Sequence, residues 1–379
     1  MLVWGREQLN LKSKNHHLGC SNSYNVPRYL FGFGSFAQLD EMLKLVPNEN
    51  SKKMRVVYCI DHFFKGHERI KQLPIEPADI VLFIDTTDEP KTDQIDSLVK
   101  PLREFSSEIK AIVGMGGGAT LDTTKAISNL LTNPGNASDY QGWDLVKNPG
   151  IYKIGIPTLS GTGSESSKTC VMTNKNTGVK LGMNSPYSVF DQLILDPDLT
   201  KTVPREQYFY TAMDTYVHCV ESLAGRHRNA IGDAFSHQAL LLCQSVFSQK
   251  DIQGDQARAD LMVASYLGGC AIANSFVGLV HPLSAGLSVV FGMHHCVANC
   301  VVMNVMQEFY PRETDQFHRY LDQQNISLPT GVARGLEPSL FEALYQSSIV
   351  HEKPLKNALG EDFKKILTLE KVSRIYELM

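Results

Sequence analysis

EIKAIVGMGGGATLDTTKAISNLL, residues 108–131, is the stretch that decides the fold. Its first half is an apolar run that reads as a strand leading into glycines, and ATLDTTKAISNLL (119–131) reads as the helix that follows. Three consecutive glycines, Gly116, Gly117 and Gly118, let the backbone come close to a ligand. Their N–H groups and the start of the helix form an anion cradle, for which a pyrophosphate is the natural guest. The spacing is neither the G-x-G-x-x-G fingerprint nor a Walker A loop, and a tight strand-to-helix turn is the plain alternative.

Working outward, the same alternation recurs. YNVPRYLFGFGSFAQLDEML (24–43) reads as a short strand, a glycine turn and a helix. KMRVVYCI (53–60) is a buried strand ended by Asp61, and FFKGHERIKQL suggests a helix. ADIVLFID (78–85) is a second strand before a charged helix near 91–105, and IYKIGIPT (151–158) adds another. VMTNKNTGVKLGM (171–183) reads as a hairpin with its turn near Asn174–Gly178, and QLILDPDLT follows. Strands alternating with helices predict a parallel sheet wrapped by helices. After IYKIGIPT comes a second cradle, PTLSGTGSESS (157–167), in which Thr158, Ser160, Thr162 and Ser164 surround two glycines. Two such loops at neighbouring strand ends favour a dinucleotide over a flexible polar loop. An acid closing the first strand, as Asp61 does, accepts hydrogen bonds from a ribose 2′-hydroxyl and repels a 2′-phosphate, which favours NAD; a helix N-cap explains it equally well.

Beyond about Thr200 helical periodicity takes over. The chain therefore divides into an extension (1–25), an α/β dinucleotide-binding domain (26–199) and a helical metal-binding domain (200–379), with the active cleft between the last two. In TAMDTYVHCVES (211–222), Asp214 and His218 stand four apart and share a helix face among apolar neighbours. A carboxylate there is costly unless paired or bound to a cation. AIANSFVGLVHPLSAGLSVVFGMHHCVANCVVMNVM (271–306) is too apolar for a loop, yet holds His281, His294 and His295. One such histidine is ordinarily satisfied by a backbone carbonyl. Three of them, with Asp214 and His218 upstream, point to a divalent cation. Spacing does not choose between His294 and His295.

Composition narrows the function classes. With 43% hydrophobic and 20% charged residues in 379, the chain reads as an ordinary globular protein with a sizeable core. Its net charge of −4 and lack of basic runs argue against nucleic acid. The N-terminus lacks an uninterrupted apolar segment, and no long apolar run suggests a membrane span. The eight cysteines form no C-x-x-C pair and sit mostly in apolar contexts, which suits a reducing cytoplasm.

These motifs resemble those of the iron-containing (group III) alcohol dehydrogenase family over residues 26–320 or so. Members carry GGGS-x-x-D-x-x-K, matched by Gly116 to Ala119 with Asp122 and Lys125. They carry PTTAGTGSE, matched by Pro157 to Glu165, and GMDAxxHxxE, matched by Ala212, Met213, Asp214, His218 and Glu221. A later VH…PHGxAN segment is matched by Val280-His281 and by His294 to Asn299. The resemblance implies a dehydroquinate synthase-like architecture: a Rossmann-like parallel-sheet domain followed by an all-α domain. It implies Asp214, His218, His281 and His295 as ligands of one Fe²⁺ or Zn²⁺, which carries the catalysis. It places Gly116, Gly117, Gly118, Thr158, Ser160, Thr162, Ser167 and Lys180 against NAD, with Asp122 in the same motif. Two departures stand out. Ala285 occupies the position of a further histidine proposed elsewhere as a proton relay, and Glu89-Pro90 stands where many members have Asn-Pro.

The implied activity is metal-dependent oxidation of a primary alcohol to an aldehyde by a cytoplasmic homodimer. Taken whole, the chain resembles a branch associated with 3-deoxy-D-manno-octulosonate (Kdo) 8-oxidase, which implies an acidic sugar substrate oxidised at C8 for lipopolysaccharide. Arg226, His227 and Arg228 are cations that could meet such an acid, though a solvated helix end explains them slightly better. The alternatives are a generic NAD-dependent alcohol, aldehyde or polyol dehydrogenase, electron transfer to O₂ instead of NAD, a dehydroquinate synthase-like lyase, and a non-catalytic metal-bound sensor or scaffold.

Overall fold

The computed structural model describes residues 24–47 and 54–379. The expected N-terminal extension lies outside the described residues but for Tyr24 and Asn25. The strands are β1 (Arg28–Phe31), β2 (Arg55–Asp61), β3 (Ile80–Ile84), β4 (Ile109–Gly116), β5 (Gly142–Trp143), β6 (Lys153–Pro157), β7 (Thr169–Asn174), β8 (Val179–Asn184) and β9 (Gln192–Leu195). The helices among them are α1 (Leu39–Lys44), α2 (Thr92–Leu102) and α3 (Gly118–Leu130). From Arg205 onward every regular element is a helix: α4 (Arg205–Ala224), α5 (Ala230–Phe247), α6 (Asp255–Ser275), α7 (Val280–Phe291), α8 (His295–Met303), α9 (Pro311–Gln324), α10 (Pro338–Ile349), α11 (Glu352–Leu359), α12 (Phe363–Ile366) and α13 (Leu369–Glu377).

Six strands form one parallel sheet in the order β1-β9-β6-β4-β2-β3. Its central strands are apolar almost throughout because both faces are covered. Phe36, Leu39, Tyr58 and Ile60 build the core on one face, and Val57, Cys59, Ile95 and Ile127 build it on the other. From β2 the chain runs to β3 on one side, while β4 lies on the other. Strand order therefore reverses at β2 and β4, and the crevice beyond their carboxyl ends is where such sheets bind ligands. Asp61 ends β2 and Gly116 ends β4, so the glycine turn opens at that crevice.

A second, smaller sheet, β5-β8-β7, contains the expected hairpin: β7 pairs antiparallel with β8 from Thr169↔Asn184 to Asn174↔Val179. One expected helix is absent. FFKGHERIKQL forms two short 3₁₀ turns, His62–Phe64 and Glu68–Gln72. Gly66 between them has φ +81°, which no α-helix accommodates.

The helical half packs around α4, whose residues 208–222 are all buried. Val26, Leu121, Phe190, Leu193, Met262 and Tyr266 form a shared cluster joining β9 and α3 to α6. No single helix among the described residues is long and apolar enough to cross a membrane. Together α6 and α7 reach that length, but the chain bends by 106° between them.

Candidate metal centre and nucleotide cleft

Helix α4 supplies Asp214 and His218, one turn apart and both almost fully buried. His281 enters from the first turn of α7 and His295 from the first turn of α8. Chain breaks set both positions. Phe276 closes α6 at φ +65°, ψ 163°, a costly backbone state for a residue with a side chain, and Gly292 closes α7 in the left-handed region.

Four side chains converge. Asp214 Oδ1 lies 3.5 Å from His218 Nε2 and 3.4 Å from His281 Nε2, and Asp214 Oδ2 lies 3.7 Å from His295 Nε2. Ligand atoms about 2.0–2.1 Å from a tetrahedral ion stand about 3.4 Å from one another, so these separations suit a shared cation. Asp214, His218 and His281 satisfy that geometry as a closed group of ligand atoms, and they are the divalent metal site.

The electrostatics agree. Burial opposes the charge on Asp214, yet His218, His295 and His281 hold its pKa below the ordinary carboxylate value. Burial, the largest influence, pushes His218 down to about 4 and His295 to about 3, so both are neutral lone-pair donors at physiological pH. Burial also works against charge on His281, but the Glu221 carboxylate and Asp214 overcome it and lift its pKa to about 10. An anionic, buried Asp214 beside the neutral imidazoles of His218 and His295 fits a divalent cation.

Two residues without an assigned role prove central. Glu221 accepts hydrogen bonds from the Val280 amide and from His281 Nδ1. It thereby caps α7 and aims the other nitrogen of His281 at Asp214. The signal was in the sequence: residues 214, 218 and 221 follow i, i+4, i+7 along one helix face. Asn299, one turn after His295, donates to Asp214 Oδ1 at 2.7 Å and stands 3.2 Å from His295 Nε2.

Most of the residues expected at the nucleotide lie at the neighbouring strand ends of β2, β4 and β6, whereas Lys180 lies on β8 of the smaller sheet. β4 and β6 pair through Gly116↔Pro157, so the two cradles emerge side by side. A Cβ on Gly116 would stand 2.9 Å from that of Asp61, and one on Gly118 would stand 3.0 Å from the Thr162 hydroxyl. Asp61 caps the first 3₁₀ turn by accepting from Phe63 N at 3.0 Å and also accepts from Thr86 Oγ1 at 3.0 Å. Thr158, Ser160 and Ser167 are buried, and the Ser160 hydroxyl has no partner within the described residues. Asp122 is engaged inside the protein: it accepts from Ser164 and the Val171 amide and pairs with the buried Lys125 at 3.1 Å. Lys180 pairs with Glu89, the departure from the Asn-Pro pattern. Arg226 and Arg228 make contacts within the protein. Arg226 donates to Leu359 O at 3.4 Å, and Arg228 donates to both Asp233 oxygens at 2.9 and 2.8 Å. A cavity of about 310 Å³ opens between Asp85 and Pro90 on one side and Ala119 and Thr123 of α3 on the other.

The loop from Gly161 to Ser167 is wedged against the helical half. A Cβ on Gly161 would fall 1.6 Å from Thr211 O on α4, and one on Gly163 would fall 2.7 Å from Gly269 on α6. Gly161 also donates to Ser265 Oγ at 2.7 Å and accepts from Thr215 Oγ1 at 2.9 Å. The nucleotide loop and the metal helix are thus one packed unit.

The profile of iron-containing alcohol dehydrogenases matches residues 27–197, and that of the family's C-terminal region matches 208–325. A sulfoacetaldehyde reductase of Bilophila wadsworthia is 36% identical over 284 residues, covering 73% of this chain and 71% of that protein. An NAD-dependent methanol dehydrogenase of Bacillus methanolicus is 28% identical over 289 residues, covering 75% and 74%. The solved structure of a 1,3-propanediol oxidoreductase superposes with a TM-score of 0.81 at 21% identity, over 94% of this chain and 99% of that one.

Proposed function

This chain belongs to the iron-containing alcohol dehydrogenase family, and on that premise we propose that it interconverts an alcohol and its aldehyde with NAD as the hydride partner. Metal-dependent oxidoreduction of an alcohol or aldehyde is its activity. The observation that carries the fuller reading is the convergence of Asp214, His218, His281 and His295 on one point, in a protein whose glycine turn opens at the sheet's switch point.

A divalent cation held by those four residues would supply Lewis-acid polarisation of the substrate oxygen, and the nicotinamide would take or give the hydride. The chain's own residues do the rest. Asp214 brings the negative charge that retains the cation, and His218 and His295 stay neutral to donate lone pairs. Glu221 pairs with His281 Nδ1 and so turns Nε2 toward Asp214. Gly116 to Gly118 and the hydroxyls of Thr158, Ser160 and Thr162 receive the pyrophosphate side of the dinucleotide, and Asp61 receives a ribose hydroxyl. Ser167, Asp122 and Lys180 act on it indirectly, through Lys125, Ser164 and Glu89. Methanol and sulfoacetaldehyde in the relatives' names support a small primary alcohol or its aldehyde.

The test is NADH formation from a panel of primary alcohols by metal-loaded enzyme, with peroxide followed separately. Turnover that needs both NAD and metal is expected. Peroxide production without nucleotide would replace NAD with O₂ as acceptor.

A narrower substrate, the C8 hydroxyl of Kdo, is favoured by one observation. Lys168 and Lys353 are cations without an ion pair among the described residues, and an acidic sugar carries the matching carboxylate. A homodimer is supported by edge strand β1 and the turn after it, which expose Tyr29, Phe31 and Phe33. A reducing compartment is supported by the seven free, buried cysteines among the described residues.

A further inference from the structure

We propose that Lys168 and Lys353 form a receptor for an anionic headgroup, a carboxylate or sulfonate, at the end of the substrate remote from the reacting carbon; this deepens the alcohol–aldehyde reading and rests on it. The two ammonium groups lie over one ring, Phe276, at 4.8 and 4.4 Å from its centre. Lys168 also lies 4.1 Å over Tyr24, and Lys353 lies 3.7 Å over Trp143. Aromatic faces attract cations, but each such contact is worth only about 0.5–2 kcal/mol and leaves the positive charge uncancelled.

Nothing in the described structure cancels it. Lys168 is only 9% exposed, and neither ammonium forms a hydrogen bond or ion pair among the described residues. Asp144, an exposed residue, is the acid that acts on both from a distance. Burial, then repulsion from Lys353, holds the Lys168 pKa down at about 8. A covered cation beside a second cation is costly to keep, and an incoming anion relieves both terms.

The place also fits. Phe276 begins the short connection to His281, so the ring stands five residues, at most about 17 Å of extended chain, from a metal ligand. Gly278 in that connection packs against Glu221, where a Cβ would meet its side chain at 3.3 Å. Lys353 stands two residues after His351, whose pKa is pushed down to about 4 by burial and then by Lys180 and His281. Lys168 leaves the second cradle directly into β7. The pair thus meets at Phe276 from both halves of the molecule, within five residues of chain of the metal ligand His281.

The test compares 6-hydroxyhexanoate and 6-hydroxyhexane-1-sulfonate with neutral 1,6-hexanediol, using the metal-loaded full chain. Wild-type enzyme should favour one or both acids in kcat/KM, mainly through KM. In Lys168→Met and, independently, in Lys353→Met, the acid-to-diol ratio should fall at least tenfold, with metal content retained. A ratio unchanged by both substitutions overturns the proposal. Calorimetric binding of the same acids needs no turnover. A Kd weakened tenfold or more in Lys353→Met supports the receptor, and an unchanged Kd overturns it. Lysine-dependent binding without any alcohol oxidation would leave the receptor standing and remove the redox reading; turnover indifferent to both lysines would do the reverse.

Discussion

Glu221 shows how much a single side chain can hold in place here. Its carboxylate caps α7 and fixes the ring of His281, so its loss should act through the metal. Glu221→Gln is expected to weaken metal affinity about ten- to a hundredfold, as loss of such supporting bonds does elsewhere. Metal titration of the apoprotein would measure it, and unaltered affinity would contradict the role. His281→Ala should abolish metal retention and turnover together; an active variant would remove His281 from the ligand set. The histidines also set a pH dependence for the metal-free protein. The folded pKa values of His218 and His295 lie below the ordinary 6.5, so the unfolded chain binds protons more readily than the folded one. Their stabilising contribution is therefore complete above about pH 6.5 and is lost as pH falls toward 4 and 3. His281, raised to about 10, has the opposite sign: its contribution is present below 6.5 and fades as pH rises through 10. Thermal melts of metal-free protein should lose stability on the acid side of 6.5, and His218→Asn should flatten that limb.

At the scale of elements, the decisive contact is the loop Gly161–Ser167 against α4 and α6. Gly161 has φ +148° and touches the backbone of Thr211, three residues before Asp214. Gly161→Ala must push α4 away or distort the loop, at an expected cost of about 2 kcal/mol or more. Because the displaced helix carries Asp214 and His218, metal affinity and NAD affinity should fall together in this variant. A stable variant with both affinities intact would disprove the coupling. The sequence made part of this element arrangement legible. The paired strand ends, the hairpin and the helix bearing Asp214 and His218 follow from local periodicity and turn residues. The helix expected over FFKGHERIKQL failed because Gly66 takes a positive φ, and a short polar segment has too little buried surface to override it.

For the whole molecule, the metal site draws its ligands from three helices, α4, α7 and α8. A cation bound only by the folded state stabilises it by mass action, about 2.7 kcal/mol at a hundredfold excess over Kd. Chelation should therefore lower the melting temperature by several degrees, and Asp214→Asn should show a smaller chelator effect. A melting temperature indifferent to chelator would place the ion outside the fold's energetics. The anionic receptor belongs to this scale too, because Lys168 and Lys353 are brought together only by the docking of the C-terminal helices onto the smaller sheet.

The sequence by itself determined the class of fold and pointed to Asp214, His218 and the histidines of the apolar segment as candidate ligands, with the family resemblance choosing His295 over His294. Those features are written in local spacing: two residues on one helix face, glycines at a strand end, histidines in an apolar segment. Only the tertiary structure decided that Glu221 steers His281, that Asp122 pairs with Lys125, that Arg228 is paired with Asp233, and that Lys168 and Lys353 share a ring. Each of these depends on which distant partner fills a side chain's hydrogen-bonding or charge requirement, and chain spacing carries no record of that once the partner lies beyond a helical turn.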